Sequence, residues 1–148
     1  MNILDSQEKI AALDKQNVLS SIDALAKQCQ HAYQDAIKVN IPQSFKKISN
    51  IVMCGMGGSG LGARIIESVY INDLKVPLHR VNNYDLPGFV SKNSLVICSS
   101  YSGTTEETVN NAKQALAKKA KLIVASTGNT LIELAKSNNF PFYKINPL

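Results

Sequence analysis

Short apolar runs alternate along the chain with longer segments of helical apolar spacing. In residues 18–38, Val18, Ile22, Leu25, Ala26, Cys29, Tyr33, Ala36 and Ile37 recur at helical spacing and predict a helix with one apolar face, which Pro42 closes off. The runs ISNIVMC (48–54), VPLHRV (76–81), SLVICS (94–99) and KLIVAS (121–126) are short and rich in β-branched residues. They predict four strands, and FPFYKI (140–145) predicts a weaker fifth. Helices are predicted between them over residues 60–70, 105–119 and 131–137.

Near-continuously apolar strands separated by helices call for a parallel sheet covered on both faces. Right-handed crossovers then give an α/β fold, an open, doubly wound, mainly parallel five-stranded sheet flanked by helices. Ligands of such sheets sit beyond the strand C-termini, where strand order reverses. The sequence does not fix that order. It shows no internal linker, repeat or low-complexity segment.

Composition narrows the picture. A chain of 148 residues, 45% of them hydrophobic, suits one domain with a sizeable core, filled by aliphatics because tryptophan is absent. The formal charge of +5 is compatible with an acidic small ligand or nucleic acid and is also ordinary for a soluble protein. Lys46 and Lys47 lie near the first strand, and Lys118, Lys119 and Lys121 near a later one. They form no single stripe and no aromatic ladder interleaves with them, so no nucleic-acid partner is expected. Cys29, Cys54 and Cys98 match no zinc spacing, and Cys54 and Cys98 each end an apolar run as small core residues. His31, in a helix, and His79, in a strand, are isolated and read as structural. The N-terminus has an early acid and no long apolar core, which argues against a signal peptide. No apolar run approaches the ~20 residues of a membrane span. The expectation is a cytoplasmic protein with no metal, no cofactor and no membrane association.

Two loops carry the candidate chemistry. After the first strand, Gly55, Gly57, Gly58 and Gly60 crowd the turn, and Ser59 adds a hydroxyl. Glycines let backbone N–H groups approach an anion, and the helix that follows points its positive end at the same place. After the third strand, Ser100, Ser102, Thr104 and Thr105 offer more donors beside another helix N-terminus. The fold brings both loops to one sheet edge. Thr104-x-x-Glu107 fits a capping box, and Glu106 and Glu107 suit a first helical turn, so capping accounts for those two acids. It does not account for Ser100 and Ser102.

Gly55-x-Gly57-x-x-Gly60 also fits a dinucleotide fingerprint. That motif expects an acid at the end of the second strand, where this chain has Val81-Asn82-Asn83, with Asp85 in the loop beyond. No Gly-x-x-x-x-Gly-Lys-Ser/Thr is present, which argues against a P-loop.

IVMCGMGGSGLGARII followed by SSYSGTTEET, with NNYDLP (82–87) and VASTGNTLIELA (124–135), resembles the sugar isomerase (SIS) domain. It is most similar to the N-terminal half of the bifunctional phosphoglucose/phosphomannose isomerases, from about Asn17 onward. The family commonly has Asn where this chain has Thr104. The resemblance implies a flavodoxin- or Rossmann-like three-layer sandwich over residues 45–148, with a helical segment, 1–44, packed on it. It implies that Gly57, Gly58 and Ser59 line the sugar side of a site. Ser100, Ser102 and Thr105 match the positions that hold the sugar phosphate. Ser126 and Thr127 fall on the same edge and read as a simple loop before a helix.

Full-length members carry two such modules. The motif arginine, the glutamate base, the lysine and the ring-opening histidine of the family find no counterpart here, and the second SIS domain is expected to be absent. Aldose–ketose isomerisation needs a base beside the carbonyl and a group that opens the ring. The expectation is therefore sugar-phosphate binding with little or no turnover by this chain alone. A chain lacking its second module should expose apolar surface and self-associate, as a homodimer or with a second SIS domain. Two other readings remain, a regulatory module that senses a phosphosugar and a nicotinamide-dependent oxidoreductase domain. The missing ribose acid weighs against the latter.

Overall fold

Three short helices, α1 (Gln7–Leu13), α2 (Val18–Asp23) and α3 (Leu25–Ala36), precede β1 (Asn50–Cys54) in the computed structural model, which describes residues 2–147. The chain continues through α4 (Leu61–Tyr70), β2 (Leu78–Val81), β3 (Ser94–Ser99), α5 (Glu106–Ala117), β4 (Lys121–Ser126), α6 (Asn129–Ser137) and β5 (Phe142–Lys144). All five predicted strands are present. The single helix expected over 18–38 is split at Ala24. There the side-chain amide of Gln28 donates to the Ser21 carbonyl at 3.4 Å, the acceptor that an unbroken helix would offer to Leu25. The apolar pattern gave no signal for α1, whose first turn is capped by the Ser6 hydroxyl.

The strands form one sheet in the order β2-β1-β3-β4-β5, with every neighbouring pair parallel. The chain steps from β1 to β2 in one direction and from β3 to β5 in the other, so the switch point lies between β1 and β3. Right-handed crossovers therefore put α4 on one face of the sheet and α5 and α6 on the other.

The two faces are not alike. Register aligns Val52 with Val96 and Leu122, and Cys54 with Cys98 and Val124. These residues meet Val109, Ala112 and Ala115 of α5 and Leu131, Ile132 and Ala135 of α6 in one buried cluster. Leu122 and Leu131 are wholly buried there, each stabilising the fold by about 2 kcal/mol relative to exposure. Hydrogen bonding to Cys54, together with burial, raises the Cys98 thiol well above its ordinary pKa, which keeps it protonated and inert. On the opposite face Ile51, Met53, Ile97 and Ile123 are only half-buried. There α4 buries Ala63 alone and turns Leu61, Ile65 and Val69 outward.

α1, α2 and α3 contain no buried residue, and Val18, Ile22, Leu25, Tyr33 and Ile37 of the expected apolar face are exposed. α3 approaches the sheet at a cavity of about 440 Å³ shared with Tyr101, Tyr143 and Ile145. Among the described residues no helix is long and apolar enough to cross a membrane.

Candidate functional site

The β1 and β3 termini release the two loops side by side at the switch point, where open sheets of this kind bind ligands. The Tyr101 N–H donates to the Ser59 hydroxyl at 3.2 Å, which ties the second loop to the first. Gly57, Gly58, Ser59, Ser100, Ser102 and Thr105 are thus brought to one edge.

Within the second loop Ser100 is the hub. It is 1% exposed, and its Oγ lies 2.8 Å from Thr105 Oγ1 and 3.4 Å from Ser102 Oγ while accepting the Gly103 N–H at 3.2 Å. Ser102 Oγ also accepts from the Thr104 N–H and hydroxyl, at 3.3 and 3.2 Å. The hydroxyls of Ser102, exposed, and Thr105, half-buried, are left toward the edge. Gly103 is required on two counts. It sits at φ +73°, and a Cβ there would lie 2.0 Å from the Gly128 carbonyl oxygen.

The N-terminus of α5 differs from the capping-box expectation. The N-cap is Thr105 rather than Thr104, and its hydroxyl makes no capping bond because it is engaged with Ser100. Thr104 is likewise engaged, with Ser102. Glu106, the other acid of the first turn, accepts a hydrogen bond from the Tyr84 hydroxyl at 3.0 Å. Among the described residues no side chain therefore caps the first turn of α5, and its N–H groups face the edge as a helix N-terminus leaves them. The hydrogen bond to Glu106, and the Glu107 and Glu106 charges, raise the Tyr84 hydroxyl above its ordinary pKa.

Several supporting residues were not legible as such. Thr127, read as an ordinary loop residue, donates both its hydroxyl and its N–H to the Tyr101 carbonyl, at 2.7 and 3.1 Å. Asn129 donates to the Ser102 carbonyl at 2.8 Å, and the Leu131 N–H donates to the Gly103 carbonyl at 3.1 Å. Ser126, fully buried, stays local by bonding Gly128. The NNYDLP stretch is clamped to α5. Asn110 and Asn111 both donate to the Tyr84 carbonyl at 2.8 Å, and Gln114 bridges Tyr84, Asp85 and Leu86. The sequence signal for this bracing was the grouping of three amides, Asn110, Asn111 and Gln114, within one turn of α5. Cys54 and Cys98 lie directly beneath the two loops, paired in register.

With this geometry in hand, similarity to known proteins is specific. The family model for phosphoglucose isomerase matches residues 2–138. The chain is 35% identical over 123 residues to a bifunctional phosphoglucose/phosphomannose isomerase of Caldicellulosiruptor bescii, covering 83% of this chain and 36% of that protein. It is 39% identical over 99 residues to the protein of the same name from Thermoplasma volcanium, covering 66% and 32%. The chain thus spans about a third of the length of these curated relatives. Among solved structures, the Vibrio vulnificus NanR protein complexed with ManNAc-6P superimposes with a TM-score of 0.62 at 18% identity, covering 96% of this chain and 57% of that one, which shows a shared fold. The parallel sheet, the paired loops at its switch point and the match over nearly the whole chain agree, and the chain belongs to the phosphoglucose isomerase family.

Proposed function

We propose that this chain is the sugar-phosphate-binding module of an aldose–ketose isomerase that interconverts glucose 6-phosphate or mannose 6-phosphate with fructose 6-phosphate. The observation that carries the reading is the turned N-cap of α5, whose Thr105 hydroxyl points to Ser100 and leaves the first-turn N–H groups uncapped. A phosphate seated there would accept from the uncapped N–H groups and from Ser102 and Thr105, while Ser100 holds those two hydroxyls in place. Gly57, Gly58 and Ser59 would border the sugar. The phosphate supplies binding energy that positions the carbons between which a proton must move.

The proton-transferring groups are proposed to come from outside this module. Of the carboxylates beside the hydroxyl loop, Glu106 is committed to Tyr84, and both Glu106 and Glu107 belong to the first turn of α5. A sensing module would use the same handle, but the curated relatives are named as isomerases. The outward apolar residues Leu61, Ile65 and Val69, and those of α2 and α3, support pairing with a second copy or a second module of the same kind. Residues 1–44 would then be sandwiched between that partner and the sheet. Three free cysteines favour a reducing compartment, and we place the protein in the cytoplasm.

Calorimetric titration with glucose 6-phosphate and fructose 6-phosphate tests the handle. Wild type should bind, and Ser102→Ala/Thr105→Val should lose about tenfold or more in affinity. Equal binding by both proteins would defeat the assignment.

A further inference from the structure

We propose that the cavity bounded by β1, α4 and β2 is a second anion site, one that takes the phosphorylated ribose of a ribonucleotide. The cavity measures about 310 Å³, and Met53, Gly57, Arg64, Glu67, Arg80 and Asn82 line it. It lies on the β2 side of β1, whereas the hydroxyl loop lies on the β3 side. The two sites therefore meet at the Gly57 backbone but do not share their anion-binding side chains.

Three observations converge. The first is the glycine turn. Gly57 sits at φ +52° with nothing near the place of a Cβ, so a ligand can approach its backbone. Gly60 lets α4 start against β1, since a Cβ there would lie 2.8 Å from the Gly55 carbonyl oxygen. The second is the end of β2. In nucleotide-binding sheets a carboxylate at this place receives a free ribose 2′-hydroxyl, while an arginine accommodates a 2′-phosphate. Here β2 ends in Arg80-Val81 and Asn82 follows, so the strand end itself carries no acid, and the one carboxylate lining the cavity, Glu67 of α4, is paired with Arg80. The absence that argued against a simple nicotinamide site is what a phosphorylated ribose requires. The third is charge. Arg64 and Arg80 reach one cavity from a helix and a strand, and their planar forks suit a phosphate monoester. Glu67 holds Arg80 Nε at 2.8 Å and offsets part of that charge, while Arg64 makes no ion pair among the described residues. Met53 and Leu78 give the cavity an apolar side for the base.

The test is calorimetric titration of the full chain with adenosine 2′,5′-bisphosphate, adenosine 5′-monophosphate and inorganic phosphate. The bisphosphate should bind most tightly. Arg64→Gln/Arg80→Gln should weaken it about tenfold or more, and Glu67→Gln should tighten it by freeing Arg80. Lys47→Gln/Lys118→Gln, which removes the same charge elsewhere, should leave it unchanged, as should Ser102→Ala. Because Ser102→Ala reads the hydroxyl loop alone, failure of one site is distinguishable from failure of the other. The proposal is overturned if the bisphosphate does not bind, if the lysine variant or Ser102→Ala weakens it as much as the arginine variant does, or if inorganic phosphate binds the Ser102→Ala protein as tightly as the bisphosphate does. The gain in Glu67→Gln cannot arise from misfolding, and its absence would also count against the site.

Discussion

The two loops at the switch point solve the same problem by opposite means. The glycine loop after β1 is defined by what it lacks. Gly57 and Gly58 have open space where side chains would be, and the principal anchor to the neighbouring loop is the Ser59 hydroxyl. The hydroxyl loop after β3 is held from within by Ser100 and from behind by Thr127, Asn129 and Gly128. One loop yields room for a ligand, and the other presents fixed donors. Preorganised donors cost no ordering when an anion arrives, so binding strength should reside in the hydroxyl loop and access in the glycine loop.

Substitutions at the glycines measure this contrast most sharply. Gly103→Ala combines a left-handed backbone with overlap against the Gly128 carbonyl. It should cost roughly 3 kcal/mol or more, seen as a fall in thermal midpoint of about 6–12 °C. Ser100→Ala should come next, at about 1–3 kcal/mol, because it strands the buried Gly103 N–H and releases Ser102 and Thr105. Gly57→Ala, strained by its φ of +52° but free of clashes, should cost about 1 kcal/mol. Gly58→Ala, with no positive φ and no neighbour, should change stability by less than about 1 kcal/mol in urea unfolding. If Gly58→Ala proved as damaging as Gly103→Ala, the contrast between the loops would collapse.

The smallest effect concerns the clamp that carries the NNYDLP stretch onto α5. The Tyr84 hydroxyl is held above its ordinary pKa because it donates a hydrogen bond to the Glu106 carboxylate. A raised acid favours the protonated form in the folded chain. Its contribution is therefore present below the unfolded tyrosine pKa and is lost as pH rises through the folded one. Ultraviolet titration should show one tyrosine moving to lower pKa in Glu106→Gln. No movement would mean that the contact is not made in solution.

How far the sequence reached can be judged from the same residues. The five strands and α4, α5 and α6 were legible from apolar runs and the segments between them, most clearly β1, β3, β4, α5 and α6, which bury residues in one common core. The pairing of GMGGSG with SSYSGTT followed from the sheet edge they share. The N-terminal segment was read less well. Its apolar spacing predicted one helix, but α2 and α3 part at Ala24, and the face stays exposed. Periodicity reports what a helix could bury, not whether a partner is present to bury it. The capping box failed for a related reason. Thr104-x-x-Glu107 is a local pattern, but the N-cap falls one residue later, at Thr105, and the hydroxyls of Thr104 and Thr105 bond to those of Ser102 and Ser100 instead of to the backbone. Thr127 and Asn129 could not be recognised as braces because their partners lie 26 and 27 residues away.

The uncapped end of α5 is the proposed seat of the sugar phosphate. The most direct measurement is a two-dimensional amide NMR titration of the labelled chain with glucose 6-phosphate. The account predicts saturable shifts concentrated in the N–H signals of Ser102, Gly103, Glu106, Glu107 and Thr108, abolished in Ser102→Ala/Thr105→Val. Saturable binding that leaves those amides unmoved would contradict it.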